Sequence, residues 1–276
     1  MEKNYKKIEY NQDLTFYLNK DLDLKIREIE DKLSDYFNLS TREDYISLRR
    51  NRKVVKDKLG YKSVYLKSYS PLHADSKMDK LKNIRLFKSN ALKEFEALLA
   101  LERLNLAVVK PLLVIERNLN AILEESILIT LSFAGVEARE IMKSDKYSYQ
   151  LKKSIMEAAA KNLLLLHQGD IIHRDYRFRN VLIRLKDKKQ FDLVLLDLER
   201  AKIDYKLKYK KIKDWAKLIA NWIDILSQLA INKSKKKVLI KNERKKYQSK
   251  IIKEYKLNKL ELKLFNKWIK NSRGIT

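Results

Sequence analysis

Apolar residues along the chain follow two rhythms, and the change from one to the other divides it. From Asp44 the period is two: Tyr45–Leu48, Lys53–Val55 and Ser63–Tyr69 predict strands of one antiparallel meander. Strands over Leu112–Ile115 and Ile122–Thr130 follow it. One helix, Asn90–Asn105, interrupts them, with Leu92, Phe95, Leu98 and Leu99 turned inward. Beyond Gly135, a natural crossing point, the spacing is mostly helical. Tyr147–His167 carries the stripe Ile155, Ala159, Leu163 and Leu166 and stops at Gly169, a residue type suited to a helix end. The hairpin Val181–Leu185 and Phe191–Leu196, joined by the polar turn Lys186–Gln190, is the β element of this half. After Arg200 the chain reads as helical to its end, with Trp215, Leu218, Ile219, Trp222, Ile225 and Leu229 as a core-facing stripe. Near the start, Leu22, Ile26, Ile29, Leu33 and Phe37 fall at helical spacing, with Asp21 and Asp23 where a helix dipole favours acids. The pattern predicts an α+β protein in three stretches. These are a helical N-terminal extension over 1–40, a β-rich lobe with one helix over 41–132, and a mostly helical lobe over 133–276.

Composition narrows the class. With 276 residues, 45% of them apolar, the chain can bury a full core as one large domain or two coupled lobes, and is not disordered. The absence of cysteine removes disulfides, thiolate metal sites and a Cys nucleophile, and suits a reducing cytosol. Met1–Tyr5 has no signal-peptide core, and purely apolar runs such as Ile127–Ile129 and Leu163–Leu166 have strand length, so no membrane span is expected. Charge is the informative number: 62 Lys and Arg against 36 Asp and Glu leave +26. Such a field attracts polyanions, whether nucleic acid, anionic lipid or a phosphorylated substrate. The segment Ile231–Lys250 alone holds nine Lys or Arg against one acid.

The chemistry centres on Ile171-Ile172-His173-Arg174-Asp175-Tyr176-Arg177-Phe178-Arg179-Asn180. A His-Arg-Asp triplet is followed five residues later by Asn180, and strand Leu193–Leu196 ends in Asp197, 22 residues after Asp175. A kinase-type phosphoryl-transfer site has this layout. Asp175 would receive the proton of the attacking hydroxyl. Asn180 and Asp197 would give oxygen ligands to Mg²⁺ held against nucleotide phosphates. Upstream, Lys67 ends the alternating run Ser63-Val64-Tyr65-Leu66, where a phosphate-binding lysine would stand. The helix Asn90–Asn105 offers two acids to pair with it, Glu94 and Glu96, and at ~100° per residue both flank the apolar face about equally. His167 reads as a structural residue at a helix end.

With these residues placed, the chain resembles the bacterial lipopolysaccharide kinase family, Kdo kinases and inner-core heptose kinases of bilobal, protein-kinase-like fold. The resemblance covers roughly Asp44 to Trp222. It rests on Tyr65-Leu66-Lys67, on Glu94-Phe95-Glu96-Ala97, on His173-Arg174-Asp175 with Asn180, and on Leu196-Asp197-Leu198-Glu199-Arg200. It favours Glu94 over Glu96. Two features depart from protein kinases. There is no Gly-rich loop, since Gly60 is the only glycine between 44 and 67, in a stretch holding Arg49, Arg50, Arg52, Lys53, Lys56, Lys58 and Lys62. No Ala-Pro-Glu segment follows Asp197. Nor is there a long activation loop, and the lack of that peptide-selecting region suits a kinase for a sugar or small molecule, while the basic side chains would partly replace the amides of a Gly-rich loop.

The resemblance implies ATP and Mg²⁺ between the lobes, with Lys67 tethered by Glu94 at the phosphates, Asn180 and Asp197 on the metal, and Asp175 as base. The implied acceptor is a Kdo or heptose hydroxyl on lipid-linked inner core. The protein would then be cytoplasmic and peripheral to an anionic membrane surface, which would use the positive charge. Two rivals stand beside this. One is an aminoglycoside- or choline-type phosphotransferase with a soluble acceptor. The other is a non-catalytic basic protein that binds RNA or a partner. The complete Lys, Glu, Asp, Asn, Asp set speaks against the second, and nucleic acid is the less favoured partner.

Overall fold

The computed structural model describes residues 5–20, 27–37, 44–49, 52–69, 88–119, 122–187, 190–229 and 231–272. Its contacts gather into two compact units, Met1–Arg103 with Val108–Phe133, and Leu104–Ala107 with Ala134–Thr276.

The first unit is built on a seven-stranded antiparallel sheet. Its strands are β1 (Tyr5–Glu9), β2 (Leu14–Asn19), β3 (Tyr45–Arg49), β4 (Arg52–Leu59), β5 (Lys62–Tyr69), β6 (Pro111–Leu119) and β7 (Ile122–Leu131). They run in the order β1-β2-β6-β7-β5-β4-β3. Phe16, Leu18, Val55, Val64, Leu66, Leu113, Ile115, Ile127 and Ile129 form a core with Ile29 of α1 (Arg27–Glu30) and Tyr36 of α2 (Leu33–Phe37). Strand side chains alternate, so if Val64 and Leu66 face this core, Lys67 does not. Helix α3 (Asn90–Arg103) packs against β5, β6 and β7. The β4–β5 turn has two residues, and Gly60 takes the left-handed backbone there at φ 56°. The β3–β4 turn, at residues 50 and 51, lies outside the described residues.

The start of the chain corrects the expectation of a helical extension over 1–40. Residues 5–19 form the hairpin β1–β2, and β2 pairs with β6 inside the sheet. The run Thr15-Phe16-Tyr17-Leu18 is buried at every position, as suits a strand covered on both faces and carrying no 3.6-residue period. Asn11 makes the turn, its side-chain oxygen accepting the N–H groups of Asp13 and Leu14 at 2.9 and 2.8 Å. Among the described residues, the helical spacing further on gives the short α1 and α2. Asp21, Leu22, Asp23 and Ile26 lie outside the described residues.

The second unit is mostly helical. Its elements are β8 (Val136–Glu137), α4 (Ala138–Lys143), α5 (Tyr149–Gln168), β9 (Val181–Leu185), β10 (Phe191–Leu195), α6 (Lys208–Gln228), α7 (Lys233–Tyr255) and α8 (Lys259–Ser272). Trp215, Trp222, Tyr176, Phe178 and Phe265 are fully buried at its centre. Ser148 caps α5 by accepting the Leu151 N–H. At the other end the left-handed residue is Asp170 at φ 55°, and Gly169 keeps an ordinary φ of −79°. Gly169 answers to packing instead, because a Cβ there would stand 2.3 Å from a Leu104 methyl. Helix does not resume directly after Arg200 as the pattern suggested. The stretch before Lys208 is tied back to the loop after α5, with Ile172 and Lys202 exchanging backbone hydrogen bonds at 3.0 and 2.9 Å and Tyr205 N–H donating to Asp170. The Lys-rich stretch forms α7, which buries Glu243, Tyr247 and Ile251 and leaves most of its lysines in solvent. Among the described residues no helix is long and apolar enough to cross a membrane.

Candidate active site

Lys67 and Glu94 meet in the first unit. Lys67 Nζ donates to Glu94 Oε1 at 2.6 Å, and the Glu94 side chain is fully buried. Tyr69, two residues along β5 and therefore on the same face, donates its hydroxyl to the other Glu94 oxygen. Glu96 is engaged elsewhere, by Lys88 at 2.7 Å and by the Tyr5 hydroxyl at 3.0 Å. The two acids that helix geometry alone could not separate thus have different partners.

The second unit gathers His173, Asp175, Asn180 and Asp197 around the β9–β10 hairpin. The chain from Arg177 passes through a 3₁₀ turn, Phe178–Asn180, into β9. Leu196 N–H donates to the Asn180 carbonyl at 2.9 Å, so the residue before Asp197 is bonded to Asn180. Asn180 Nδ2 donates to the Asp175 carbonyl at 2.8 Å. Arg174 and Asp197 both take left-handed backbone, φ 67° and 59°, an uncommon choice for such residues and one that marks a constrained loop.

Four cooperating residues escaped the sequence reading. Asp214 of α6, almost fully buried, accepts the backbone N–H groups of His173 and Arg174 at 2.9 and 3.1 Å through one oxygen. It thereby fixes the loop that presents Asp175. Arg179 Nη2 donates to Asp175 Oδ2 at 2.7 Å, Arg177 Nε lies 3.0 Å from Oδ1, and Lys217 Nζ lies 3.6 Å from Oδ1. Burial pushes the Asp175 carboxyl up, but the Arg179 hydrogen bond and the charges of Lys217, Arg179 and Arg177 outweigh it and hold the pKa at about 2. A signal did exist for Asp214: an acid at 214 shares the helical face of Leu218 and Ile225, and an acid on a buried stripe implies a partner. His167 is structural, as expected. Its Nδ1 meets the Tyr255 hydroxyl at 2.7 Å, and burial pushes its pKa down against the pull of Asp214.

The donor set suits a hard divalent cation. The Asn180 amide nitrogen is committed to Asp175, so a cation bound here would meet the Asn180 amide oxygen, with the Asp197 carboxylate as a further candidate. Among the described residues no cluster of three or more His, Cys, Asp or Glu exists. A nucleotide-bound Mg²⁺ needs none, because phosphates and water fill most of its shell.

A β-rich unit with a buried Lys–Glu pair, preceding a helical unit with a His-Arg-Asp loop and a β hairpin ending in Asp, is the organisation of the kinase-like fold. The chain belongs to the lipopolysaccharide kinase (Kdo/WaaP) family, whose model matches residues 49–242. The family makes it a phosphotransferase. Among solved structures it is similar to WaaP in complex with acyl carrier protein, at 17% identity and TM-score 0.60 over 91% of this chain and 95% of that one. No curated protein matches it in sequence.

Proposed function

We propose that the protein transfers the γ-phosphoryl group of ATP to a Kdo or heptose hydroxyl of lipopolysaccharide inner core, at the cytoplasmic face of the membrane. The observation that carries this is the gathering of Asp175, Asn180 and Asp197 at the ends of one hairpin, in a chain of the lipopolysaccharide kinase family. Asn180 and Asp197 would hold Mg²⁺, which when bound neutralises charge on the phosphates. Lys67, held by Glu94 in the first unit, would supply a cation to the nucleotide's phosphates. Asp175 accepts the acceptor's proton late in a loose transition state. A carboxylate held near a pKa of 2 is a weak base in water, which suits catalysis by orientation more than by proton affinity.

The test is transfer of labelled phosphate from ATP·Mg²⁺ to purified inner-core acceptor, with mass spectrometry locating the product. Asp175→Asn should fold, bind ATP·Mg²⁺ and lose ~10²–10⁴-fold in turnover, the usual worth of a positioned base. Near-native turnover in the variant would remove Asp175 from the chemistry. Equal turnover on a soluble, uncharged sugar alcohol would move the acceptor class to small molecules. The WaaP structure contains an acyl carrier protein, which gives the exposed Lys face of α7 a second candidate occupant beside an anionic bilayer.

A further inference from the structure

Beside Asp175 the second unit has a shallow pocket lined by Arg139 and Lys143 of α4, by Arg177, Phe178 and Arg179 of the catalytic loop, and by Asn221 and Ile225 of α6. Its polar lining is one of donors. Arg179 donates to Asp175 through Nη2, and Arg177 lies beside the same carboxylate. Among the described residues neither Arg139 nor Lys143 has a carboxylate within ion-pair distance. Asn221 is 5% exposed, and its side-chain nitrogen has no acceptor among the described residues. A buried donor left unpaired is costly, and natural proteins keep few of them. Arg139 and Lys143 thus bring two cations to the lining beyond those that face Asp175, over an apolar floor of Phe178 and Ile225 that strengthens any charge interaction.

We propose that this pocket is an acceptor-anion subsite: it receives a phosphate or carboxylate carried by the acceptor and so sets which hydroxyl reaches Asp175. The inference rests on the kinase reading for its role but not for its occupancy. Guanidinium forks match the paired oxygens of either anion, and Asn221 Nδ2 would supply a further donor. A neutral sugar gives these groups nothing to bind in exchange for their lost water.

Binding can be measured without turnover. The full-length protein is saturated with a non-hydrolysable ATP analogue and Mg²⁺, so that the nucleotide site is filled, and titrated with inorganic phosphate and separately with acetate, followed by thermal shift and, for phosphate, by ³¹P line broadening. The wild type should bind at least one of the two. Arg139→Gln with Lys143→Gln should weaken binding about tenfold or more, as loss of charge-assisted bonds does. Asn221→Asp, which swaps the donor for a charge of the wrong sign, should do the same. Lys161→Gln, an exposed cation on α5 outside the pocket, should bind as the wild type does. Phosphate as the tighter probe assigns a phosphoester, and acetate as the tighter probe assigns a sugar acid. Equal binding in wild type and pocket variants, or none in the wild type, overturns the subsite. Failure of the kinase reading looks different: anion binding sensitive to the pocket variants would persist while no acceptor is phosphorylated.

Discussion

The Lys67–Glu94 pair allows a quantitative test, because the chain contains its own control in Glu96. Lys67→Met leaves a fully buried carboxylate without its ammonium, and Glu94→Gln leaves that ammonium facing a neutral amide. Breaking one side of a buried ion pair costs ~3–5 kcal/mol, so each single variant should lower the stability of the β-rich unit by that order. The double variant should lose far less than the sum, a coupling of about 1–3 kcal/mol. Lys67→Met with Glu96→Gln should be additive, because Glu96 is engaged by Lys88 and Tyr5. The probe has to be chosen with care. The three tryptophans, Trp215, Trp222 and Trp268, all lie in the helical unit, so their fluorescence says nothing direct about Lys67. Native-state hydrogen exchange at the β5 amides reads the relevant opening. Additivity within about 0.5 kcal/mol for Lys67 with Glu94, or coupling with Glu96 instead, would refute the assignment.

Other expectations follow from the same geometry. Asp197→Ala should abolish the Mg²⁺ dependence of nucleotide binding while the fold persists; titrating ATP with and without the metal decides it, and an unchanged metal effect would remove Asp197 from the site. Asp214→Asn should speed amide exchange at His173 and Arg174 and lower kcat by ~10–100-fold through misplacement of Asp175; a variant with slow exchange and full activity would show that the loop holds itself. Burial keeps the folded His167 neutral to lower pH than the ordinary 6.5, so the unfolded chain takes up a proton first on acidification. Stability should therefore be whole above about pH 6.5 and decline below it, and the decline should flatten in His167→Gln; an unaltered pH slope there would clear His167. On the exposed face of α7, changing Lys235, Lys237, Lys241 and Lys245 to Gln should weaken sedimentation with anionic vesicles by ~1 kcal/mol per charge near the surface. Lys236 and Lys246 are left in place because Ser227 and Glu157 hold them. Equal binding of the wild type to neutral vesicles would end the membrane argument.

The legible parts of this protein were those where one local pattern decides. The period-two runs at Tyr45, Lys53 and Ser63 became β3, β4 and β5, and the alternation that hid Val64 and Leu66 also turned Lys67 away from them. The spacing of His173, Asp175, Asn180 and Asp197 put them on the two approaches to one hairpin, whose paired strands bring its ends together. Long-range partners were illegible. Asp214 lies 41 residues from the His173 amide it holds, and nothing near position 214 announces that donor. Arg177 and Arg179 stood in plain view beside Asp175, but a cation in a loop reads as solvated until burial is known. The run at Phe16 was overlooked for the same reason, since its strand character depends on pairing with β6, where Phe16 meets Ile115, 99 residues downstream.

That pairing bears on how the molecule can be cut. The family match begins at residue 49, yet the sheet does not. A fragment started there would lose β1 and β2, bare the edge of β6 and remove Phe16 and Leu18 from the middle of the core. Unpaired, apolar edges invite chains to stick to one another. Stopping at 242 would be no kinder, for it severs α7 one residue before Glu243, which accepts the indole N–H of the buried Trp222. The span that the family match covers is therefore shorter than the span that builds the sheet and the helical core, and an expression fragment drawn to the first should precipitate.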